Sequence, residues 1–328
     1  MHDLKLSMML SGIRALGVGL VLVAAMAYVV QLDDSAASST GRSPVAAAPV
    51  WSLISQRDTA GREYYVRRSA REVVPLGART LTMPILEYHY VRTPPSLAVD
   101  YMGYRLSVSP QDFTSQMDYL EAHGYHPVDF NDVRAYFAAA HPLPSKPVVI
   151  TLDDGYLDLY TTAFPILTAH GFKAVAYIVS SFVGQSRYVN RAQVLEMDHG
   201  GIQIASHTVD HADLAKSSLG SITYEVVESK RWLEALVGHP VLDFAYPSGK
   251  FSPTAISLLA MAGYDTAVTE LFSYTHSRAD RYVWTRVRVG GGESLSDFAA
   301  ALGTSMPSKK ITDSQLKICC APSVEADS

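Results

Sequence analysis

From residue 83 onward, short apolar runs rich in Val, Ile and Tyr alternate with longer stretches whose apolar residues recur at helical spacing. A period that switches back and forth between two and about 3.6 predicts a β/α fold. Strands are expected at residues 84–88, 126–129, 147–152, 174–179, 202–206, 242–246, 265–268 and 283–289, with helices between most of them. Ser109 and Pro110 supply an N-cap and a first-turn proline ahead of Phe113, Met117 and Leu120, and Gly124 ends that helix. Pro253 opens another, carrying Ile256, Leu259 and Met261 as far as Gly263. Eight strands in this rhythm point to an irregular (β/α) barrel, with a doubly wound open sheet as the alternative.

Four strand ends carry the polar residues of interest. The apolar run 147–152 is followed at once by Asp153-Asp154-Gly155. Two adjacent carboxylates oppose each other's ionisation, so a cation beside them is the simplest stabiliser; a plain surface turn is the other explanation. Successive side chains on an extended segment diverge, which lets one Asp bind a metal while its neighbour faces substrate. The second run, 202–206, leads into His207-Thr208-Val209-Asp210-His211. If the chain turns helically there, both imidazoles lie on one face, and two histidines with a carboxylate make a divalent-ion site with a position left open for water. A third run ends in Tyr246-Pro247-Ser248-Gly249, a turn whose amides can face an oxyanion. The first predicted strand ends at His89, a candidate general acid or a structural histidine. In β/α barrels the C-terminal strand ends converge on one site, and all four groups occupy such ends.

Thr151-Leu152-Asp153-Asp154-Gly155 resembles the T-F-D-D-G motif of the polysaccharide deacetylases, the family 4 carbohydrate esterases with a NodB-homology domain, and His207–His211 resembles their H-[ST]-x-x-H motif. The likeness covers about residues 83–302. It implies that Asp153 is the catalytic base and that Asp154, His207 and His211 hold a divalent metal, zinc first, with cobalt or nickel as alternatives. Tyr246, Pro247 and Ser248 are similar to the third motif, in which the amide after the proline, here that of Ser248, receives the oxyanion. The arginine usual in that motif is replaced by Ala245, and the C-terminal leucine-x-histidine motif is missing. Leu86-Glu87-Tyr88-His89 instead precedes the Asp pair, as in the permuted poly-N-acetylglucosamine deacetylases, which implies His89 as the general acid. Arg286 is the candidate substitute for the missing arginine, with Arg288, on the same strand face, as the alternative.

The remaining expectations concern the ends of the chain. Residues 15–32 carry no charge, follow Lys5 and Arg14, and are long enough to cross a bilayer, so a single-pass anchor with an exported domain is expected, or a secreted protein if the segment is cleaved. The expected organisation is an anchor or signal over 1–34, a spacer and extension over 35–82, the deacetylase domain over 83–305 and a polar tail over 306–328. Cys319 and Cys320, adjacent in that tail, cannot brace the fold. A net charge of -5 without a sustained basic run excludes a nucleic-acid partner. The expected activity is removal of N-acetyl groups from an N-acetylglucosamine polymer at the cell envelope. A catalytically silent carbohydrate-binding protein, or a deacylase of another acylated glycan, is the alternative.

Overall fold

The computed structural model describes residues 51–57, 63–69 and 80–303. The apolar stretch 15–32, the 35–49 spacer and Cys319 and Cys320 lie outside them. Among the described residues no helix is long and apolar enough to cross a membrane. Within the segment expected to be spacer and extension, Trp51–Arg57 and Glu63–Ser69 pair as an antiparallel hairpin.

All eight expected strands are present in one sheet, and every pairing in it is parallel. They are β1 (Ile85–Tyr88), β2 (His126–Pro127), β3 (Pro147–Leu152), β4 (Ala174–Ile178), β5 (Ile202–Ser206), β6 (Asp243–Ala245), β7 (Thr266–Val268) and β8 (Val287–Arg288). The spatial order is β7-β6-β5-β4-β3-β1-β8, with β2 beside β3. The expected strand 283–289 is split, because its two halves serve different neighbours. Trp284 bridges Val268 of β7, whereas Val287 and Arg288 pair with Leu86 and Glu87 of β1. That run joins the two ends of the sheet and curls it into an irregular barrel rather than a doubly wound open sheet.

Helices α1 (Tyr101–Arg105), α2 (Pro110–Ala122), α3 (Phe130–Phe137), α4 (Phe164–Ala169), α5 (Arg191–His199), α6 (Leu219–Val237), α7 (Pro253–Met261) and α8 (Leu295–Ala301) fill the connections. Ser109 caps α2 by accepting the Asp112 amide, and Pro110 and Pro253 sit in first turns as expected. Strand alternation sorts the core into two layers. Leu86, Tyr88, Val148, Ile150 and Leu152 face the helices and pack with Phe113, Met117 and Leu120 of α2. Ile85, Val149, Val175, Tyr177, Ala205, Ala245, Val268 and Trp284 fill the barrel interior together with Phe130 and Val133 of α3. Each large apolar side chain buried this way stabilises the fold by about 1.5–3 kcal/mol. Helix α3 closes the end at which the strands begin: the Phe130 amide donates to Gln203, and Arg134 pairs with the buried Asp243. The opposite end is left for chemistry.

His276 adds a pH dependence to this core. Its Nε2 donates to the Met83 carbonyl at 3.0 Å, and burial pushes its pKa down to about 4 from an ordinary 6.5. The unfolded chain therefore takes up this proton before the folded one does. Stability is expected to fall by about 1.4 kcal/mol per pH unit as pH drops below 6.5, roughly 3 kcal/mol by pH 4, and no further below that. His276→Gln keeps a donor for Met83 and should lessen the acid sensitivity, which thermal unfolding of both proteins at pH 7 and pH 4.5 checks.

Candidate active site

At the end of β3 the chain leaves the extended conformation abruptly. Asp153 keeps the inward parity of Val149 and Thr151, whereas Asp154 and Gly155 take φ of 71° and 76° and turn the next side chain aside. At the end of β5, His207 also points inward, and its amide donates to the Ile178 carbonyl. The following loop is not the helical turn that its spacing suggested: Thr208 and His211 sit at φ 71° and 59°. Two anchors hold this irregular path. The Thr208 hydroxyl accepts the His211 amide at 2.9 Å, and the buried carboxylate of Glu225 on α6 accepts the amides of Val209 and Asp210 at 2.8 and 2.9 Å. The imidazoles converge all the same, with ring centroids 4.9 Å apart. Of the six described non-glycine residues with positive φ, four are Asp154, Thr208, His211 and Ser248, so backbone strain is concentrated at this end of the barrel.

The Nε2 atoms of His207 and His211 each lie 3.4 Å from Asp154 Oδ1, which is buried and receives no hydrogen bond. His207 Nδ1 is 2.8 Å from the Ala245 carbonyl. A carbonyl can only accept, so in the neutral ring Nδ1 carries the proton and Nε2 turns its lone pair toward Asp154. Burial lowers the pKa of His211 and favours its neutral, ligating form. Burial alone would raise that of Asp154, but the imidazoles of His207, His89 and His211 hold it well below the usual carboxylate range. Two lone pairs and an unpartnered carboxylate oxygen aimed at one point fit a divalent cation, and an N₂O donor set with positions left open suits zinc, cobalt or nickel.

Beside this cluster, Arg286 grips Asp153 with both terminal nitrogens, Nη1 to Oδ1 at 2.7 Å and Nη2 to Oδ2 at 2.8 Å. Its other donors reach the Thr269 carbonyl and the Thr151 hydroxyl, so all three nitrogens of the buried guanidinium are engaged. Burial opposes the charge on Asp153, yet Arg286 lowers its pKa overall and keeps it an anion. Arg286, and not Arg288, meets Asp153. Arg288 lies one layer further along and reaches Glu87 at 2.7 Å and Glu270 at 2.5 Å. His89 faces the same interior, with Nδ1 3.9 Å from Glu87 Oε1. Donor atoms of Glu87, His89 and Asp153 also lie within 4.8 Å of one another, but two guanidinium groups already serve those carboxylates and disfavour a cation there.

The turn Pro247–Gly249 lies against Glu270, since a Cβ on Gly249 would come within 2.7 Å of the Glu270 amide nitrogen. Pro247 is buried and Ser248 exposed, while the amides of Gly249 and Lys250 are used inside the turn. The Tyr246 side chain does not join the site. Its outward parity packs the ring between Phe244 and Phe251 in the helix-facing core. Glu87 was not among the expected site residues. Its signal was available: it stands two positions before His89, so both share one strand face.

The family model for polysaccharide deacetylase matches residues 140–267, a span containing Asp153, Asp154, His207, His211 and the 246–249 turn. Over these residues the chain is similar to polysaccharide deacetylase domains of the NodB type. Among its relatives, YxkH of Bacillus subtilis, assigned as a polysaccharide deacetylase, is 28% identical over 218 residues, covering 66% of this chain and 75% of YxkH. The poly-beta-1,6-N-acetyl-D-glucosamine N-deacetylase of Escherichia coli K12 is 28% identical over 242 residues, covering 61% of this chain and 36% of the enzyme, so the match spans little more than a third of that relative. Among solved structures, the Streptococcus pyogenes deacetylase PplD in complex with acetate superposes with a TM-score of 0.64 at 25% identity, over 69% of this chain and 100% of PplD.

Proposed function

We propose that this chain hydrolyses N-acetyl groups from an N-acetylglucosamine-containing polysaccharide at the cell envelope, tethered by its 15–32 segment with the domain on the exported side. The observation that carries this reading is an anionic Asp153, gripped by Arg286, directly beside the Asp154, His207 and His211 cluster. The substrate class is carried over from the name of the Escherichia coli relative. Asp154, His207 and His211 would hold a divalent cation, which would supply Lewis-acid polarisation there. Asp153, oriented by Arg286, takes a proton from the water that attacks the N-acetyl carbonyl. The Ser248 amide faces the negative charge that develops on the carbonyl oxygen. His89 gives a proton to the departing nitrogen, so acetate and a free amine leave. Asp154, His207 and His211 keep their side chains on the ligand side of the site, which leaves Asp153 as the base.

Acetate release from β-1,6- and β-1,4-linked N-acetylglucosamine oligomers, with and without chelator, tests the reading. Release from at least one series is expected to stop in chelator and return on adding zinc or cobalt. Full activity in chelator would sink the metal mechanism. Tight glycan binding without acetate release from either series would favour a silent binding protein.

A further inference from the structure

Glu87 is a buried charge for which the proposed reaction has no use so far. Its side chain is 1% exposed, and neither oxygen receives a hydrogen bond of acceptable geometry. Its neighbours are nevertheless all ionic or ionisable: Arg288 Nη2 at 2.7 Å and His89 Nδ1 at 3.9 Å from Oε1, and Arg286 Nε at 3.4 Å from Oε2. Burial pushes its pKa up, with Arg286 the main opposing influence. A buried carboxylate with orphaned oxygens is costly, and such groups call for an explanation.

Charge neutralisation of the arginines does not supply one. Asp153 already satisfies Arg286 through two hydrogen bonds, and Arg288 Nη2, which makes no hydrogen bond of acceptable geometry, is divided between Glu270 at 2.5 Å and Glu87 at 2.7 Å. Three carboxylates, Asp153, Glu87 and Glu270, thus share two guanidinium groups, which leaves one negative charge in excess, and Glu87 is the buried one of the three whose oxygens receive no hydrogen bond. Its one remaining neighbour in this cluster is the ring of His89, on the same face of β1 two residues on. The separation is longer than a hydrogen bond, as catalytic pairs often are before substrate tightens them.

We infer that Glu87 is a positioning residue for proton delivery: it takes the Nδ1–H of His89, and so turns Nε2 toward the departing nitrogen of the substrate. This rests on the reading of His89 as general acid. Through Arg286 the same carboxylate also abuts the holder of Asp153, so one buried anion braces both the residue that takes a proton and the residue that returns it.

The test is a double-mutant cycle on the full chain. Glu87→Gln keeps the size and removes the charge; it is expected to lower kcat on the order of tenfold or more, with KM and bound metal unchanged. The loss should vanish in a His89→Ala background, because the effect runs through that ring. Glu87→Asp, which keeps the charge, should recover part of the rate. Nitrogen-15 NMR of labelled histidines, with His89 assigned from the His89→Ala spectrum, reads the pairing without any substrate. His89 should carry a proton on Nδ1 in the parent chain, in the neutral Nδ1–H tautomer or in the imidazolium whose second proton, on Nε2, is the one delivered, and lose that preference in Glu87→Gln. An equal fold-loss in both backgrounds, or a parent His89 protonated on Nε2 alone, overturns the inference. If no oligomer is deacetylated, the functional reading falls, and the NMR result still decides whether Glu87 orients His89.

Discussion

Asp153→Asn is expected to cut acetate release by about 10²–10⁴-fold, the usual contribution of a positioned general base, while metal content stays near that of the parent chain. The reason is the division of labour across the two aspartates. Asp154 Oδ1 is the atom near the two imidazoles, and Asp153 has both oxygens on Arg286. The amide is nearly the same size, so the barrel interior stays filled, but its NH₂ meets a guanidinium donor where an acceptor stood. Some loss of thermal stability therefore accompanies the loss of rate. Acetate assays, elemental analysis and thermal unfolding on one preparation separate the three effects. Metal lost in proportion to rate would place Asp153 among the ligands instead.

Arg286→Met should be the most destabilising change at this end of the barrel, by about 3–5 kcal/mol, the range for breaking a buried ion pair by removing one partner. It leaves Asp153 and Glu87 buried without the cation between them. Arg288→Met is the internal control. That side chain is 32% exposed and its partner Glu270 is 29% exposed, so solvent screens that pair; the contact with the buried Glu87 at 2.7 Å is lost too, and the expected loss is about 1–2 kcal/mol, below that of Arg286→Met. Arg286→Lys should fall between the two, because an ammonium keeps the charge but not the fork that meets both oxygens of Asp153. Urea unfolding of the three variants checks the ranking. Equal losses for Arg286→Met and Arg288→Met would contradict the buried network.

The strands were legible because their interior-facing and helix-facing residues are both apolar, giving runs such as 147–152 that few other structures explain. The alternation also identified which residues share a face, and it placed Asp153, His207 and His89 at strand ends. Three things needed the folded chain. Choosing between Arg286 and Arg288 depends on how far the last run slides along β1, which spacing alone does not specify. The path of the histidine loop depends on Glu225, a helix residue 14 positions beyond His211 by number, accepting two amides. The direction of Tyr246 follows from the parity of β6: Ala245 points inward, so its neighbour must point out.

The split last strand has a consequence for how the protein comes into being. Asp153 and its partner Arg286 are 133 residues apart, and Arg286 belongs to the segment that closes the ring. A ribosome therefore delivers the paired carboxylates and both imidazoles well before the guanidinium that balances them. Until that segment emerges, the growing chain has an open sheet edge at β7 and uncompensated acids where the barrel should end. A nascent or C-terminally clipped chain that stops short of residue 286 would have Asp154, His207 and His211 in full and lack the guanidinium that holds Asp153.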